Sequence, residues 1–370
     1  MKKNISYKSI LAVFLLIYIG AIIFINNITA DKVFSESENR KLEQAPKFST
    51  SQVADGRYTT NYEKYISDQF PMRDFWIGIK SGMEKLMGKK ENNGVYLGKD
   101  GYLLEKFNKP EIGELESKID KINKFATNFP DKNIYFMLMP SGAEILKDKL
   151  PAYAPSDSQL GIIEATKKSL SDKINFVDIY KTLYSHREDY IYYKTDHHWT
   201  TNGAYLAYKD LMKAMDIKAH GEECFERKQV SEDFYGSLYS KSGFRNIEPD
   251  ELVLYSAKAN EGIEVEYVEE GKNSNFLYSM ENLDKKDKYT VFLDGNHPYI
   301  KIKTNFSENK KLLIIKDSFA NSFIPFLTGH FSEIHIIDPR YYREDMVDLI
   351  ERESIENILI LYSIDFFLKI

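Results

Sequence analysis

Cysteine is nearly absent from this chain of 370 residues: Cys224 stands alone. A single thiol excludes an intrachain disulfide and any paired-cysteine metal site. The seven histidines show no HxxxH or HxH spacing, so the simplest histidine metal motifs are missing too. No segment repeats and no tract is compositionally biased, which excludes solenoids and low-complexity arrays. A basic excess is also lacking. The net charge is −6, and residues 1–30 carry Lys2, Lys3 and Lys8 with no acid, so the remainder bears −9. An acidic body argues against nucleic-acid binding, which works through a basic face. Apolar and aromatic residues are plentiful, at 43% and 14%. That excludes disorder, and a core of this size holds without disulfides even in an exported protein.

One apolar run is long. It extends from Ile10 to Ile25 and is closed by Asn26-Asn27. At about 1.5 Å per residue it covers roughly 24 Å, a little short of a ~30 Å hydrocarbon core; Ile28 and local thinning make up the difference. The lysines before it stay in the cytoplasm, which places residue 31 onward outside. A cleaved signal peptide is the competing reading, but Ile28-Thr29-Ala30 is a poor cleavage site. Both readings export the body. The expectation is a single-pass, membrane-anchored, extracytoplasmic protein whose residues 1–30 are the cytoplasmic lysines and the anchor.

Residues 31–92 are polar and broken by Pro46, Gly56 and Pro71. Within them Phe75, Ile77, Ile79, Met83 and Leu86 have helical spacing, so Tyr62–Lys90 reads as a helical neck. Residues 93–370 then read as one catalytic domain. Leu97–Leu104 contains Asp-Gly between apolar runs, a hairpin signal. A helix follows Pro110 over Glu111–Phe129. Asn133–Met139 is a continuous apolar run of the kind that forms a buried strand. The alternation continues with a helix at Gln159–Asp172, a strand at Ile174–Ile179 and a helix at Asn202–Met215. Then come a strand at Leu312–Ile315, an apolar helix from Phe319, a strand at Ile334–Ile337, a helix at Arg343–Glu353 and a strand at Ile358–Tyr362. Strand–helix alternation predicts an α/β fold with a mainly parallel sheet flanked by helices. Ligands of such sheets sit at the carboxyl ends of the strands. Residues 225–305 break the rhythm. Short β-like runs at Glu251–Ala257, Ile263–Val268 and Tyr289–Leu293 make this stretch a β-rich insertion.

Two segments carry chemistry. Tyr192–Gly203 reads Tyr-Tyr-Lys-Thr-Asp-His-His-Trp-Thr-Thr-Asn-Gly. It lies between a predicted strand and a predicted helix. One reading has Thr200 or Thr201 capping the helix while the rings pack beneath. A metal site would need further ligands from elsewhere, and none is assigned. The second segment, Leu312–Phe323, runs from an apolar strand through Lys316-Asp317-Ser318 into an apolar helix. Asp-Ser before a helix often serves as an N-cap. It also places a serine where its own N–H and the helix dipole stabilise an oxyanion. G-x-S-x-G is absent. A serine nucleophile needs a base within hydrogen-bond reach and an acid to orient that base. Ser318 and His198 both follow carboxyl ends of predicted parallel strands, and Asp196 precedes His198 by two residues.

Asp-x-His-Trp, followed about a hundred residues later by strand–Asp-Ser–helix, resembles the alginate O-acetyltransferases, variants of the SGNH hydrolase superfamily. Asp196-His197-His198-Trp199 also resembles the signature of the DHHW family of bacterial surface proteins. Phe70–Asp74, Gly98–Gly101 and Phe234–Tyr239 extend the likeness over most of residues 60–345. The resemblance implies an SGNH hydrolase-like (flavodoxin-like) fold, with Asp196 as orienting acid, His198 as base and Ser318 as nucleophile. SGNH enzymes usually carry Gly-Asp-Ser, and here Lys316 replaces the glycine, either lining the pocket or pointing to solvent. Gly295, Asn296 and Asn321 are the candidate oxyanion donors, with an ordinary turn as the alternative for the first two. Tyr193, Trp199, Tyr235 and Lys316 are substrate-binding candidates. The resemblance implies a cell-surface O-acetyltransferase acting on a polysaccharide hydroxyl beside a multipass membrane acyltransferase, with no cofactor and no nucleic acid. A polysaccharide or peptidoglycan acetylesterase has the same triad. A non-catalytic glycan-binding or assembly protein is the third reading.

Overall fold

In a computed structural model the described residues are 7–35, 37–111, 113–258 and 262–370, so Lys2 and Lys3 lie outside them. The chain forms two compact units. One runs up to Lys89 and includes Gly243–Arg245; the other comprises Lys90–Ser242 and Asn246–Ile370.

The first unit opens with α1 (Tyr7–Ile28), a helix of 22 residues with no buried residue. It outruns the apolar stretch because polar side chains continue it: Asn27 Nδ2 donates to the Ile23 carbonyl and Thr29 Oγ1 to that of Ile25. Its length is about 33 Å at 1.5 Å per residue, and it is long and apolar enough to cross a membrane. The antiparallel pair β1 (Phe34–Ser35) and β2 (Arg40–Lys41) follows. Then come α2 (Thr50–Ala54), α3 (Arg57–Asp68) and α4 (Arg73–Leu86). Tyr62–Lys90 is thus two helices rather than one. Pro71 has no N–H and pushes its predecessor out of the helical region, so the chain breaks between Asp68 and Arg73.

The second unit starts with a small antiparallel sheet of β3 (Glu91–Asn92), β4 (Val95–Leu97) and β5 (Leu103–Glu105). Asp100 and Gly101 take φ of 55° and 78° in the β4–β5 turn, the left-handed region that Asp-Gly tolerates. Next are α5 (Glu114–Thr127), β6 (Asn133–Met139), α6 (Gly142–Ile145), α7 (Leu160–Ser169), β7 (Ile174–Phe176), α8 (Tyr180–Ser185) and α9 (Thr201–Ala214). Strand β8 (Phe225–Phe234) pairs with β9 (Asp250–Ala257), and α10 (Ser237–Ser242) lies between them in sequence. The remaining elements are β10 (Glu264–Tyr267), β11 (Lys272–Ser274), β12 (Tyr299–Lys303), β13 (Lys311–Lys316), β14 (Glu333–Ile337), α11 (Met346–Arg352), β15 (Asn357–Ser363) and α12 (Ile364–Lys369).

One sheet organises this unit, with the order β11-β10-β12-β14-β13-β15-β6-β7. Strands β14, β13, β15, β6 and β7 run parallel, and β12, β10 and β11 extend the β14 edge antiparallel. Thus part of residues 225–305 joins the main sheet. The central strands are mostly apolar because both faces are covered. Leu312 and Ile314 enter one core with Trp199 and Ala204, while Leu313 and Ile315 enter the other with Ile119, Ile162 and Leu349. Each such side chain contributes about 1.5–3 kcal/mol on burial.

Two local expectations are corrected, and His335 takes an interior place. Tyr289–Leu293 is not a strand; Lys288–Val291 forms a 3₁₀ turn. After Ser318 there is no α-helix but two short 3₁₀ turns, Ser318–Ser322 and Ile324–Leu327, since Pro325 cannot donate to a continuing helix. His335 is no edge residue. Its strand β14 lies inside the sheet, and its ring, fully buried, has the Tyr299 hydroxyl 2.8 Å from Nδ1.

Candidate active site

Parallel strands deliver several loops to one end of the sheet. Strand β13 ends at Lys316, and Asp317-Ser318 follow at once. Asp317 is fully enclosed. Its carboxylate accepts from the Phe319 N–H (3.0 Å), the Ser363 N–H (2.8 Å) and the Ser363 hydroxyl (2.5 Å). It therefore fixes the turn after β13 to the end of β15, and burial pushes its carboxyl up despite those donors. Ser318 itself remains partly exposed.

The Asp-His-His-Trp segment is held as a tight loop. A bridge joins Tyr192 to Trp199, the Tyr193 N–H donates to the His198 carbonyl and the Thr200 N–H to that of Ile191. Buried Asp250 anchors the loop, accepting from the N–H groups of Lys194 and Thr195 and from the hydroxyls of Thr195 and Tyr190. Gly236 closes over it. A Cβ there would sit 2.3 Å from Asp196 Cβ, so no larger residue fits. Trp199 Nε1 donates to the Phe319 carbonyl at 2.9 Å and so ties this loop to the turn after β13.

The result is a line of three side chains. His198 Nδ1 lies 2.5 Å from Asp196 Oδ1, and His198 Nε2 lies 2.7 Å from Ser318 Oγ. Asp196 also accepts from the N–H groups of His198 (2.9 Å) and Ser237 (2.7 Å). Burial alone would raise the Asp196 carboxyl. The neighbouring His197 and His198 and the donated hydrogen bonds outweigh it and hold the group below the usual carboxylate range. Burial first, then His197, pushes His198 down to about 4 although Asp196 opposes them. The imidazole is therefore neutral at pH 7. Ionised Asp196 accepts a hydrogen bond from Nδ1–H, which leaves the Nε2 lone pair facing the Ser318 hydroxyl. Tyr289 lies flat on the imidazole, with ring centroids 3.8 Å apart and planes 5° apart. Its hydroxyl is 3.2 Å from both the Ser318 carbonyl and Ser322 Oγ.

The other candidates divide. His197 lines the same cleft but pairs through Nδ1 with Ser237 Oγ at 2.6 Å. Trp199 is fully buried and Tyr193 nearly so, so Trp199 offers no face to a ligand. Lys316 neither lines the pocket nor reaches solvent. It is fully buried, with Nζ 2.6 Å from Asn296 Oδ1 and 3.7 Å from Asp338, and burial lowers its pKa to about 8. Gly295, Asn296 and Asn321 do meet, but one another: Asn321 Nδ2 donates to the Gly295 carbonyl (3.1 Å) and to Asn296 Oδ1 (3.2 Å). None of the three lines the cleft beside Ser318. Tyr235 is partly exposed and packs on Tyr239, with the Lys286 ammonium over both rings.

Ser318 opens into a cleft of about 590 Å³ walled by Leu104, the Ser141–Ala143 turn, Leu238, Phe319 and Phe366, with Lys241, Arg340 and Lys369 also lining it. Asp196, His197 and His198 bring possible ligand atoms within 4.8 Å of one another, as do Glu333, His335 and Glu353. In the first trio Asp196 and His198 are engaged in the hydrogen-bonded line. In the second the lysine ammoniums of 301 and 311 already neutralise the acids. Sequence reading missed Tyr289, Asp250 and Gly236; only Gly236 gave a signal, inside Phe234–Tyr239.

The family model for DHHW protein matches residues 96–337. The chain belongs to the DHHW family. A DHHW family protein from Eubacterium siraeum superposes with a TM-score of 0.65 at 22% identity, over 75% of this chain and 93% of that one. PatB1 of Bacillus cereus gives 0.63 at 24% identity, over 74% and 96%. These likenesses establish the shared fold. "Probable alginate O-acetylase AlgJ" of Pseudomonas fluorescens is 24% identical over 176 residues, 45% of this DHHW chain. The chain spans 44% of the length of that curated relative.

Proposed function

We propose that this DHHW protein is a membrane-anchored, outward-facing O-acetyltransferase that carries an acetyl group on Ser318 and passes it to a polysaccharide hydroxyl. The observation that carries the reading is the Asp196–His198–Ser318 line, with His198 neutral and its Nε2 at 2.7 Å from Ser318 Oγ. The alginate O-acetylase name of a relative supports the reaction class and a polysaccharide as acceptor. Helix α1 supports anchorage, with a multipass acyltransferase as the supplier of acetyl groups.

In this reading Ser318 Oγ attacks the acetyl carbonyl as its proton moves to His198 Nε2. Asp196 stabilises the imidazolium. The C–O or C–S bond of the donor breaks, its leaving atom takes the proton back from Nε2, and acetyl-Ser318 remains. His198 then removes the proton of the sugar hydroxyl, whose oxygen attacks the ester; the Ser318–acetyl bond breaks and Oγ regains its proton. In this reading the Ser318 N–H is an oxyanion donor, and the Ser141–Ala143 turn lines the cleft beside it. Water in place of the sugar hydroxyl would make the same site an acetylesterase.

The deciding experiment is Ser318→Ala in protein shown by circular dichroism to be folded. Turnover of a chromogenic acetyl ester is expected to fall roughly 10⁴-fold or more. Mass spectrometry of oligosaccharides incubated with an acetyl donor should then show acetylated sugar for the parent chain and none for the variant. Turnover preserved in Ser318→Ala defeats the serine assignment, and release of acetate without acetylated sugar assigns hydrolysis.

A further inference from the structure

Helix α4 packs the wrong way round for a soluble protein. Met72 and then Phe75, Trp76, Ile79, Met83 and Leu86 recur at three- and four-residue steps, so they form one apolar stripe along the helix. That stripe points outward: Phe75 is 52% exposed, Ile79 43%, Met83 55% and Leu86 84%. The inward side carries one apolar residue, Ile77, and is otherwise small or polar. Ser81 is 4% exposed, and Gly78 lies 3.8 Å from the Arg245 side chain as measured from its missing Cβ position. Amphipathic helices of soluble proteins turn the apolar side inward. An outward stripe of this length marks a surface awaiting an apolar phase.

The chain itself says which phase lies nearest. The residues that follow α1 are pinned to the end of α3 and, through Asp74, to the first turn of α4. The Lys32 N–H donates to Gln69 Oε1 (2.9 Å), Gln69 Nε2 donates back to the Lys32 carbonyl (2.9 Å), and the Tyr65 hydroxyl reaches Asp31 Oδ2 (3.0 Å). Ser37 Oγ donates to Asp74 in the first turn of α4. Thr29 and Ala30, where α1 ends, line one pocket with Met72 and Phe75. If α1 crosses a bilayer, α4 starts at its surface. Phe75 and Trp76 are residues that favour the headgroup region, and Lys80 and Lys85 lie to either side of the stripe as in helices that lie flat on anionic membranes.

We propose that α4 is an interfacial helix that buries its Met72–Leu86 stripe in the outer boundary of the same bilayer that α1 crosses. The inference rests on the anchor reading. Two contacts then hold the first unit at the membrane: a spanning helix and a helix lying in the surface.

The test uses the full chain reconstituted into phosphatidylcholine–phosphatidylglycerol vesicles. Flotation after an alkaline carbonate wash reports α1 independently of α4. The two tryptophans, Trp76 and Trp199, separate cleanly, because Trp199 is fully buried and Trp76→Phe supplies its signal alone. Lipids brominated high on the acyl chain should quench the Trp76 component and spare that of Trp199. Ile79→Glu with Met83→Glu should abolish the quenching while the chain still floats and its circular dichroism is unchanged. A floating chain whose Trp76 is untouched by brominated lipid but open to acrylamide would overturn the proposal, and so would one shielded from both, which means a protein partner covers the stripe. A chain that does not float overturns the anchor reading and this proposal together.

Discussion

At the scale of single residues, the state of His198 has a pH consequence. A neutral imidazole accepts the Ser318 proton and a protonated one cannot. Because burial and His197 hold His198 at about 4, the base stays competent well below the ordinary histidine range. In the proposed reaction kcat/KM is expected to stay level from pH 7 down toward 5 and to fall about tenfold per unit below about 4, measured on a soluble acetyl ester with stability checked at each pH. A fall centred near 6.5 would show a solvated imidazole. The proximity of Asp196, His198 and Ser318 was legible because each sits in a short contiguous pattern beside a strand end. Trp199 and Lys316 were misread as ligand-facing for one shared reason. Their chemistry suits a sugar, but whether a side chain meets solvent is decided by what packs over it, and Phe323 and Asn296 lie far off in sequence. Tyr289 had no signal, since a stacked ring depends on two segments converging in space.

At the scale of elements, the Asp-His-His-Trp loop is shaped by residues outside the Asp196–His198–Ser318 line. Gly236 leaves room for Asp196, and Asp250 collects four donors that would otherwise be unpaired and buried. Gly236→Ala would drive a methyl into Asp196. The substitution is expected to destabilise the second unit by about 1–3 kcal/mol, read as a lower urea midpoint, and to reduce acetyl-ester turnover even where the protein is still folded. An unchanged midpoint would mean that α10 can shift away freely. The strands of the parallel core and the β4–β5 hairpin were legible from runs and Asp-Gly punctuation. The turn after Ser318 was not. Its residues are as apolar as a helix, and only Pro325 and the buried hydrogen bonds of Asn321 and Ser322 divert it into 3₁₀ geometry.

At the scale of the whole molecule, sequence patterning displayed both a helix long and apolar enough to cross a membrane and an α/β body, because hydrophobic length and strand–helix alternation are one-dimensional properties. The antiparallel extension of the sheet was hidden. Tyr299–Lys303 alternates Ile and Lys and gains its place by pairing with β14 on one side and β10 on the other. The outward stripe of α4 was equally hidden, since periodicity reveals an apolar face without saying what it meets.

The Tyr289 ring has one more consequence. With its face covered and Nδ1 held by Asp196, the imidazole cannot rotate between tasks, so a single nitrogen must serve both halves of the proposed transfer. Donor and acceptor therefore have to occupy the same place in turn. Kinetics of the ping-pong kind should result: parallel double-reciprocal lines as the two substrates are varied, with each substrate inhibiting at high concentration by visiting the wrong form of the enzyme. Intersecting lines would require a second seat beside Ser318, open while the first is filled.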